Sequence, residues 1–122
     1  MLLNELYTIQ SQSVKENQLH FLLHLEADHA IFKGHFPGQP VLPGVCMLEM
    51  IAELTGRSLH QRFRISGGPV IKFLNMIDPR KNRLIEVGIE YQIEKETVAV
   101  QGKIFHESFI FMKYQLVLLP LM

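Results

Sequence analysis

IEVGIEYQIEKETVAVQGKIFHESFIFMKYQLVL, residues 85–118, is the stretch that decides the fold class. Ile85, Val87, Ile89, Tyr91 and Ile93 fall on odd positions, and Glu86, Glu90, Gln92 and Glu94 on even ones. A period of two puts the apolar set on one face of a strand and leaves the other face wet. Val98, Val100 and Ile104 alternate in the same way. So do Ile110, Met112, Tyr114, Leu116 and Leu118, with Lys113 and Gln115 between them. Polar breaks at residues 94–96 and 106–108 read as hairpin turns, so three consecutive antiparallel strands are expected.

Upstream, Leu19, Phe21, Leu23 and Leu25 alternate with His20, Leu22 and His24 and predict another strand, with a weaker one over residues 7–13. Residues 34–44, GHFPGQPVLPG, form a loop dense in glycine and proline. Directly after it, residues 45–63, VCMLEMIAELTGRSLHQRF, read as a helix. Val45, Leu48, Ala52 and Leu59 mark one stripe, and Met47, Met50, Ile51 and Leu54 fill the others. A helix apolar nearly all round is expected to be buried. Residues 69–77 suggest one further strand. An antiparallel sheet with one apolar face must cover it, and this helix is the apolar helix long enough to do so. The expected architecture is α+β: a curved antiparallel sheet around one long buried central helix, as one domain over residues 1–122.

Composition is consistent with that. The chain has 122 residues, 48% of them hydrophobic, which suits one domain with a real core. Formal net charge is zero, so bulk charge gives no argument for nucleic acid or a membrane. Cys46 is the single cysteine, which excludes an intrachain disulfide framework and fits a reducing compartment. The first residues, MLLNELYTIQ, lack a basic segment followed by a long apolar run, and LVLLPLM near the other end is far too short to span a bilayer. A cytoplasmic protein without nucleic-acid or membrane partners is expected.

Three features carry chemistry. Glu49 sits between Leu48 and Met50 in the expected helix. A buried carboxylate is costly unless paired or protonated, and enzymes use burial to keep a carboxylic acid available near neutral pH. The alternative is that Glu49 and Glu53, four residues on, form a narrow polar stripe facing solvent. His35 lies in the GHFPG turn, where glycine and proline fix the backbone and present the side chain with precision. Histidine titrates near neutrality and suits a general base; the alternative is a loop histidine without a role. LPGV at residues 42–45 opens the helix, whose first N–H groups lack internal partners and can polarise a carbonyl oxygen. The other histidines, His20, His24, His29, His60 and His106, carry no expected catalytic role. His20 and His24 share a strand face but lack a third ligand at metal spacing. Cys46, three residues before Glu49, shares roughly its helix face. It either lines a substrate tunnel or is a small buried hydrophobe, and the helix N-terminus is expected to lower its pKa.

The stretch GHFPGQPVLPGVCMLEMIAE resembles the signature of the FabZ-like 3-hydroxyacyl-acyl carrier protein dehydratases of the hot-dog fold. That pattern has a His followed by Phe-Pro, a second Pro, a Pro-Gly-Val, and an acid fourteen residues after the His; His35 and Glu49 match it. Glu rather than Asp is similar to the branch that dehydrates without isomerising. The resemblance covers residues 32–56, with KFLNMIDP at 72–79 resembling the strand that follows the central helix. Two positions depart from the family: Glu53 stands where Gln is usual, a second carboxylate one turn away that would either raise the pKa of Glu49 or alter substrate polarity, and DPRKNR at 78–83 replaces a glycine-containing turn.

The resemblance implies dehydration of a 3-hydroxyacyl thioester, carried by acyl carrier protein or coenzyme A, in fatty-acid or related acyl-chain synthesis. His35 would be the base, Glu49 the acid and the Gly44 N–H the thioester oxygen's donor. Phe36, Pro43, Val45, Cys46 and Glu53 would line the tunnel. No metal or redox cofactor is needed. The site would lie at a homodimer interface, or in a higher assembly of dimers, with His35 from one subunit and Glu49 from the other. A hot-dog thioesterase and a silent acyl-binding subunit are the competing functions. Residues 57–83 hold seven basic side chains against Asp78 alone, about +6 in a neutral chain. Such asymmetry can steer an acidic carrier, with Arg57, Arg62, Arg64, Arg80 and Lys81 as the docking candidates.

Overall fold

A computed structural model describes residues 1–121. Its elements, in chain order, are β1 (Tyr7–Lys15), β2 (Gln18–Leu25), the short α1 (Ile31–Gly34), α2 (Gly44–Leu59), β3 (Phe63–Phe73), β4 (Leu84–Ile93), β5 (Val98–His106) and β6 (Phe109–Pro120). One six-stranded sheet has the order β1-β2-β4-β5-β6-β3, every neighbouring pair antiparallel.

Period-two alternation places Leu19, Phe21, Leu23 and Leu25 of β2 in the core with Ile85, Val87 and Ile89 of β4. Val98, Val100 and Ile104 of β5 join Met112, Tyr114, Leu116 and Leu118 of β6. Met47, Met50, Ile51 and Leu54 of α2 fill the same cluster, so the sheet's apolar face is closed by this helix. This is the hot-dog arrangement, and the three-strand meander of residues 85–118 lies where its alternation put it.

Two boundaries differ from the sequence expectation. The helix stops at Leu59 rather than running to residue 63, because His60 turns left-handed (φ 57°) and its N–H caps the Gly56 carbonyl. Phe63 belongs to β3. That strand covers Phe63–Phe73 instead of residues 69–77, and its register with β6 shifts between Ser66 and Val70. Beyond Phe73, the N–H groups of Leu74 and Asn75 both donate to the Phe111 carbonyl, which ends the ladder. Of the stretch 72–79, only Lys72 and Phe73 are therefore strand. Among the described residues no helix is long and apolar enough to cross a membrane.

Glu53 holds the start of the chain. It is a buried residue (8% exposed), yet its carboxylate accepts from the Leu2 N–H at 2.8 Å, the Leu3 N–H at 3.0 Å and the Tyr7 hydroxyl at 3.0 Å. Three donors replace the water that burial removes, which is what makes an interior carboxylate tolerable. Burial, then the Glu53 charge and hydrogen bond, push the Tyr7 phenol well above its ordinary range.

At Gly102 the β5 backbone lies directly against Gly88 of β4. A Cβ there would meet the Gly88 carbonyl oxygen at 2.0 Å and the Tyr114 hydroxyl at 2.9 Å. The absent side chain lets Tyr114, 3% exposed, lie across Gly102 and donate to the Gly88 oxygen at 2.8 Å. Gly102→Ala is expected to lower unfolding free energy by about 2–3 kcal/mol, since overpacking here meets backbone. Glu53→Ala is expected to cost about 2–4 kcal/mol, because it orphans a buried hydroxyl and two backbone donors. Denaturant midpoints check both, and loss of amide-exchange protection at Leu2 and Leu3 should accompany the second only.

Candidate active site

The loop that carries His35 is built by its own hydrogen bonds. Phe36, Pro37, Gly38 and Gln39 make a tight turn in which the Gln39 N–H donates to the Phe36 carbonyl and the Phe36 N–H to the Gln39 carbonyl, both at 2.9 Å. Proline second and glycine third, the latter at φ 76°, is the sequence such a turn demands. The His35 N–H donates to the Ile31 carbonyl at the end of α1, and the Val41 N–H returns to the His35 carbonyl at 2.8 Å. The ring is fixed as well: Nδ1 lies 3.1 Å from the Val41 carbonyl oxygen, and the imidazole stacks on Phe36 with centroids 4.1 Å apart.

A carbonyl oxygen can only accept, so in the neutral ring Nδ1 carries the proton. That leaves Nε2 with the lone pair, able to take a proton from a bound molecule. The side chain is half-buried, so Nε2 is held but reachable.

The chain then runs into α2 at Pro43. The Leu42 N–H donates to the Ile77 carbonyl, and Pro43 stands at the N-cap in an extended conformation. Cys46 and Met47 send their N–H groups to the Pro43 carbonyl, whereas the N–H of Gly44, first in the helix, has no acceptor within it. A Cβ on Gly44 would lie 2.7 Å from the Phe73 ring. The helix start is therefore packed against the end of β3, and glycine is what permits that approach.

Glu49 is one turn further on and is exposed, which corrects its expected place inside a buried helix. The reason is the helix's position. Cys46, Met47, Met50, Ile51 and Leu54 face the sheet, while Val45, 75% exposed, and Glu49 form a stripe that this chain does not cover. The polar-stripe alternative fails too, because Glu53 points inward to the chain start. Glu53 is thus a neighbour of Tyr7 rather than a free carboxylate beside a tunnel. The Glu49 charge still reaches inward, raising the pKa of the buried Cys46 thiol after the larger effect of burial itself. Cys46 is shifted upward, opposite to the lowering expected from the helix N-terminus. Among the described residues no hydrogen bond or ion pair joins Glu49 to His35.

Phe36 is exposed, Pro43 buried, and Val45 and Glu49 open to solvent. Around them lies further uncovered apolar surface from the β3 end: Phe73 is 56% and Met76 72% exposed. The basic side chains of residues 57–83 are spread over the α2 terminus, β3 and the turn after it rather than gathered at one mouth. Arg57, Arg62, Arg64 and Lys81 are exposed. Arg80 is engaged: its Nη2 and Nε donate to Asp78 at 3.1 and 3.3 Å, and its N–H bonds the same carboxylate. Those bonds hold the Asp78 carboxyl below its usual range against the opposing effect of burial. Asp78 also accepts from the N–H groups of Lys81 and Asn82 through its carbonyl, so residues 78–82 form a self-bonded turn. Sequence reading missed three contributors: the Val41 carbonyl that sets the His35 tautomer, Tyr7 beside Glu53, and Phe73 over Gly44. The GHFPG turn, which brings the chain back onto itself, was the one available signal for the first.

Residues 11–120 match the ApeI-like family, described as ApeI dehydratase. A 3-hydroxyacyl-acyl-carrier-protein dehydratase FabZ from Mannheimia succiniciproducens is 34% identical over 74 residues, 61% of this chain and 49% of the relative. The chain spans about half the length of such relatives. Among solved structures, the dehydratase heterocomplex ApeI:P from Xenorhabdus doucetiae superposes with a TM-score of 0.73 at 19% identity, covering 91% of this chain and 96% of that one. A hypothetical thioesterase from Streptococcus pneumoniae with coenzyme A superposes with a TM-score of 0.65 at 11% identity, covering 97% and 90%. At these identities the superpositions establish the hot-dog fold and no more. With 110 matched residues out of 122, the chain belongs to the ApeI-like dehydratase family.

Proposed function

We propose that the protein removes water from a 3-hydroxyacyl thioester to give the trans-2-enoyl thioester, in fatty-acid or related acyl-chain synthesis. The observation that carries this is the fixed His35 tautomer: Nδ1 tied to the Val41 carbonyl and Nε2 free to accept a proton. The thioester acidifies the C2 hydrogen. His35 Nε2 takes that proton, and the electron pair left on C2 forms the C2–C3 double bond. Glu49 gives its proton to the C3 oxygen, which departs as water rather than as hydroxide. The Gly44 N–H, at the positive end of α2, holds the thioester oxygen while enolate charge develops there. Solvent then restores the proton to Glu49 and removes it from His35.

The separation of His35 from Glu49 within one chain is accounted for by a second chain. The uncovered stripe of Val45 and Glu49 adjoins the exposed Phe73 and Met76, and β3 is a sheet edge with free hydrogen-bonding groups. Two copies related by a two-fold axis along this face bury that surface and bring His35 of one to Glu49 of the other. A homodimer, or an assembly of such dimers, is the proposed working unit. An acyl carrier protein or coenzyme A is the proposed carrier, with the exposed Arg57, Arg62, Arg64 and Lys81 as its docking candidates. The lone buried Cys46 suits the reducing cytoplasm.

The thioesterase reading shares the fold but needs a carboxylate to activate water and makes no use of the His35 turn. Incubation with 3-hydroxybutyryl thioester separates the two: enoyl thioester is expected, and release of free thiol without it would replace the dehydratase reading. His35→Ala and Glu49→Gln are each expected to lower turnover at least about a hundredfold with the fold retained, the usual scale for losing general acid–base catalysis. Near-wild-type turnover in either refutes the pair. Mixing the two inactive variants is expected to restore part of the activity, because one site of a mixed dimer regains both groups. Proven subunit exchange with no recovered turnover would exclude the shared site.

A further inference from the structure

The sheet face turned away from α2 carries a groove of about 720 Å3 that crosses all six strands, from Ser13 and Lys15 on β1 to Val70 and Lys72 on β3. The strand register arranges its floor. Ser13 pairs with His20, His20 with Gly88, Gly88 with Lys103, Lys103 with Lys113, and Lys113 with Lys72. One transverse row therefore ends in three lysines on adjacent strands. Strands lie about 4.8 Å apart, so three ammonium groups arise from backbone positions within roughly 10 Å.

Like charges directly opposite one another destabilise a sheet, and no carboxylate among the described residues is paired with them. Among the described residues Lys72, Lys103 and Lys113 make no ion pair. The carboxylate in the next row, Glu90, is already bonded by Gln18 at 3.5 Å and Gln101 at 3.0 Å. Lys103 Nζ instead rests 4.6 Å from the Phe105 ring centre. Gly88 leaves the row open beside these lysines, and packing does not require glycine there. A Cβ would make only ordinary contacts, 3.6 Å to Phe105 and 3.9 Å to the Lys103 carbonyl.

Four lysines, Lys15, Lys72, Lys103 and Lys113, line the groove against the single carboxylate of Glu90; such an excess of one sign concentrates counter-ions, and lysine binds phosphate as a compact point charge. The volume is that of a small-molecule site. We infer that this groove binds an organic phosphate with two or more phosphoryl groups: Lys72, Lys103 and Lys113 take the phosphates beside Gly88, and Phe105, at the Lys103 end of the row, takes the organic part. The site is separate from His35 and Glu49, which belong to the helix side of the sheet.

Titration calorimetry at low ionic strength, with inorganic phosphate, pyrophosphate and ADP as probes, tests the assignment. Pyrophosphate and ADP are expected to bind, and inorganic phosphate at least about tenfold more weakly. Lys103→Gln/Lys113→Gln is expected to weaken ADP binding at least about tenfold, the scale of losing a hydrogen bond to a charged group. Lys72→Gln/Lys113→Gln should do the same from the other end of the row. ADP binding more tightly than pyrophosphate places the organic part against Phe105, whereas equal binding assigns the affinity to phosphates alone; both support the site. Without ligand the variants should melt at or above the wild-type temperature, since repulsion is removed. Absence of heat with every probe, ADP binding unchanged in both variants, variants that melt well below wild type, or a response only to an acidic protein would each overturn the inference.

Discussion

Six strands with one shared apolar face need a cover, and a single sixteen-residue helix supplies it. Everything else in the structure follows from how that helix is placed. Because α2 is the cover, its inward side must be Met47, Met50, Ile51 and Leu54, and the side carrying Val45 and Glu49 is left outward. Because it starts at Gly44 against Phe73, the preceding loop must deliver the chain there, and the turn from Phe36 to Gln39 fixes His35 on the way. The proposed acid and base are placed by the helix that the core demands.

The residues that bond Glu53 show how polar chemistry is accommodated inside such a core. A helix side packed against both sheet and chain start leaves no room for a hydrated carboxylate. The structure brings two backbone N–H groups and a phenol to it instead. The same economy appears at residues 78–82, where Asp78 and Asn82 bond their own turn and Arg80 closes over it. In both places a carboxylate that burial would strand is met by hydrogen-bond donors, from the chain start for Glu53 and from its own turn for Asp78.

What could be read from the sequence divides along physical lines. Strands β2, β4, β5 and β6 were legible because each has one wet and one dry face, which period-two alternation records directly. β3 was not, since its register shift and its glycines interrupt the alternation, and Phe63 extends the helical apolar pattern past the point where His60 ends it. His35 and Glu49 stood out through spacing and resemblance. Their surroundings did not: Glu49 lies on the outward stripe, an orientation that depends on where the sheet sits. Glu53 finds its partners about fifty residues away in sequence, beyond the reach of any local pattern.

The two edges of the sheet are unlike. β1 sets Val14 among Gln10, Ser11, Gln12, Ser13 and Lys15, all open to solvent. β3 presents Val70 and Phe73, but Arg64 and Lys72 share that edge, and Pro69 and the register shift between Ser66 and Val70 break its run. Charge, proline and irregular pairing are what keep an edge strand from taking on a foreign one. Each edge is guarded by its own means: charge among polar side chains on β1, proline and broken register on β3. Smoothing β3 by replacing Pro69 and Lys72 with valine should turn that edge into a route for aggregation.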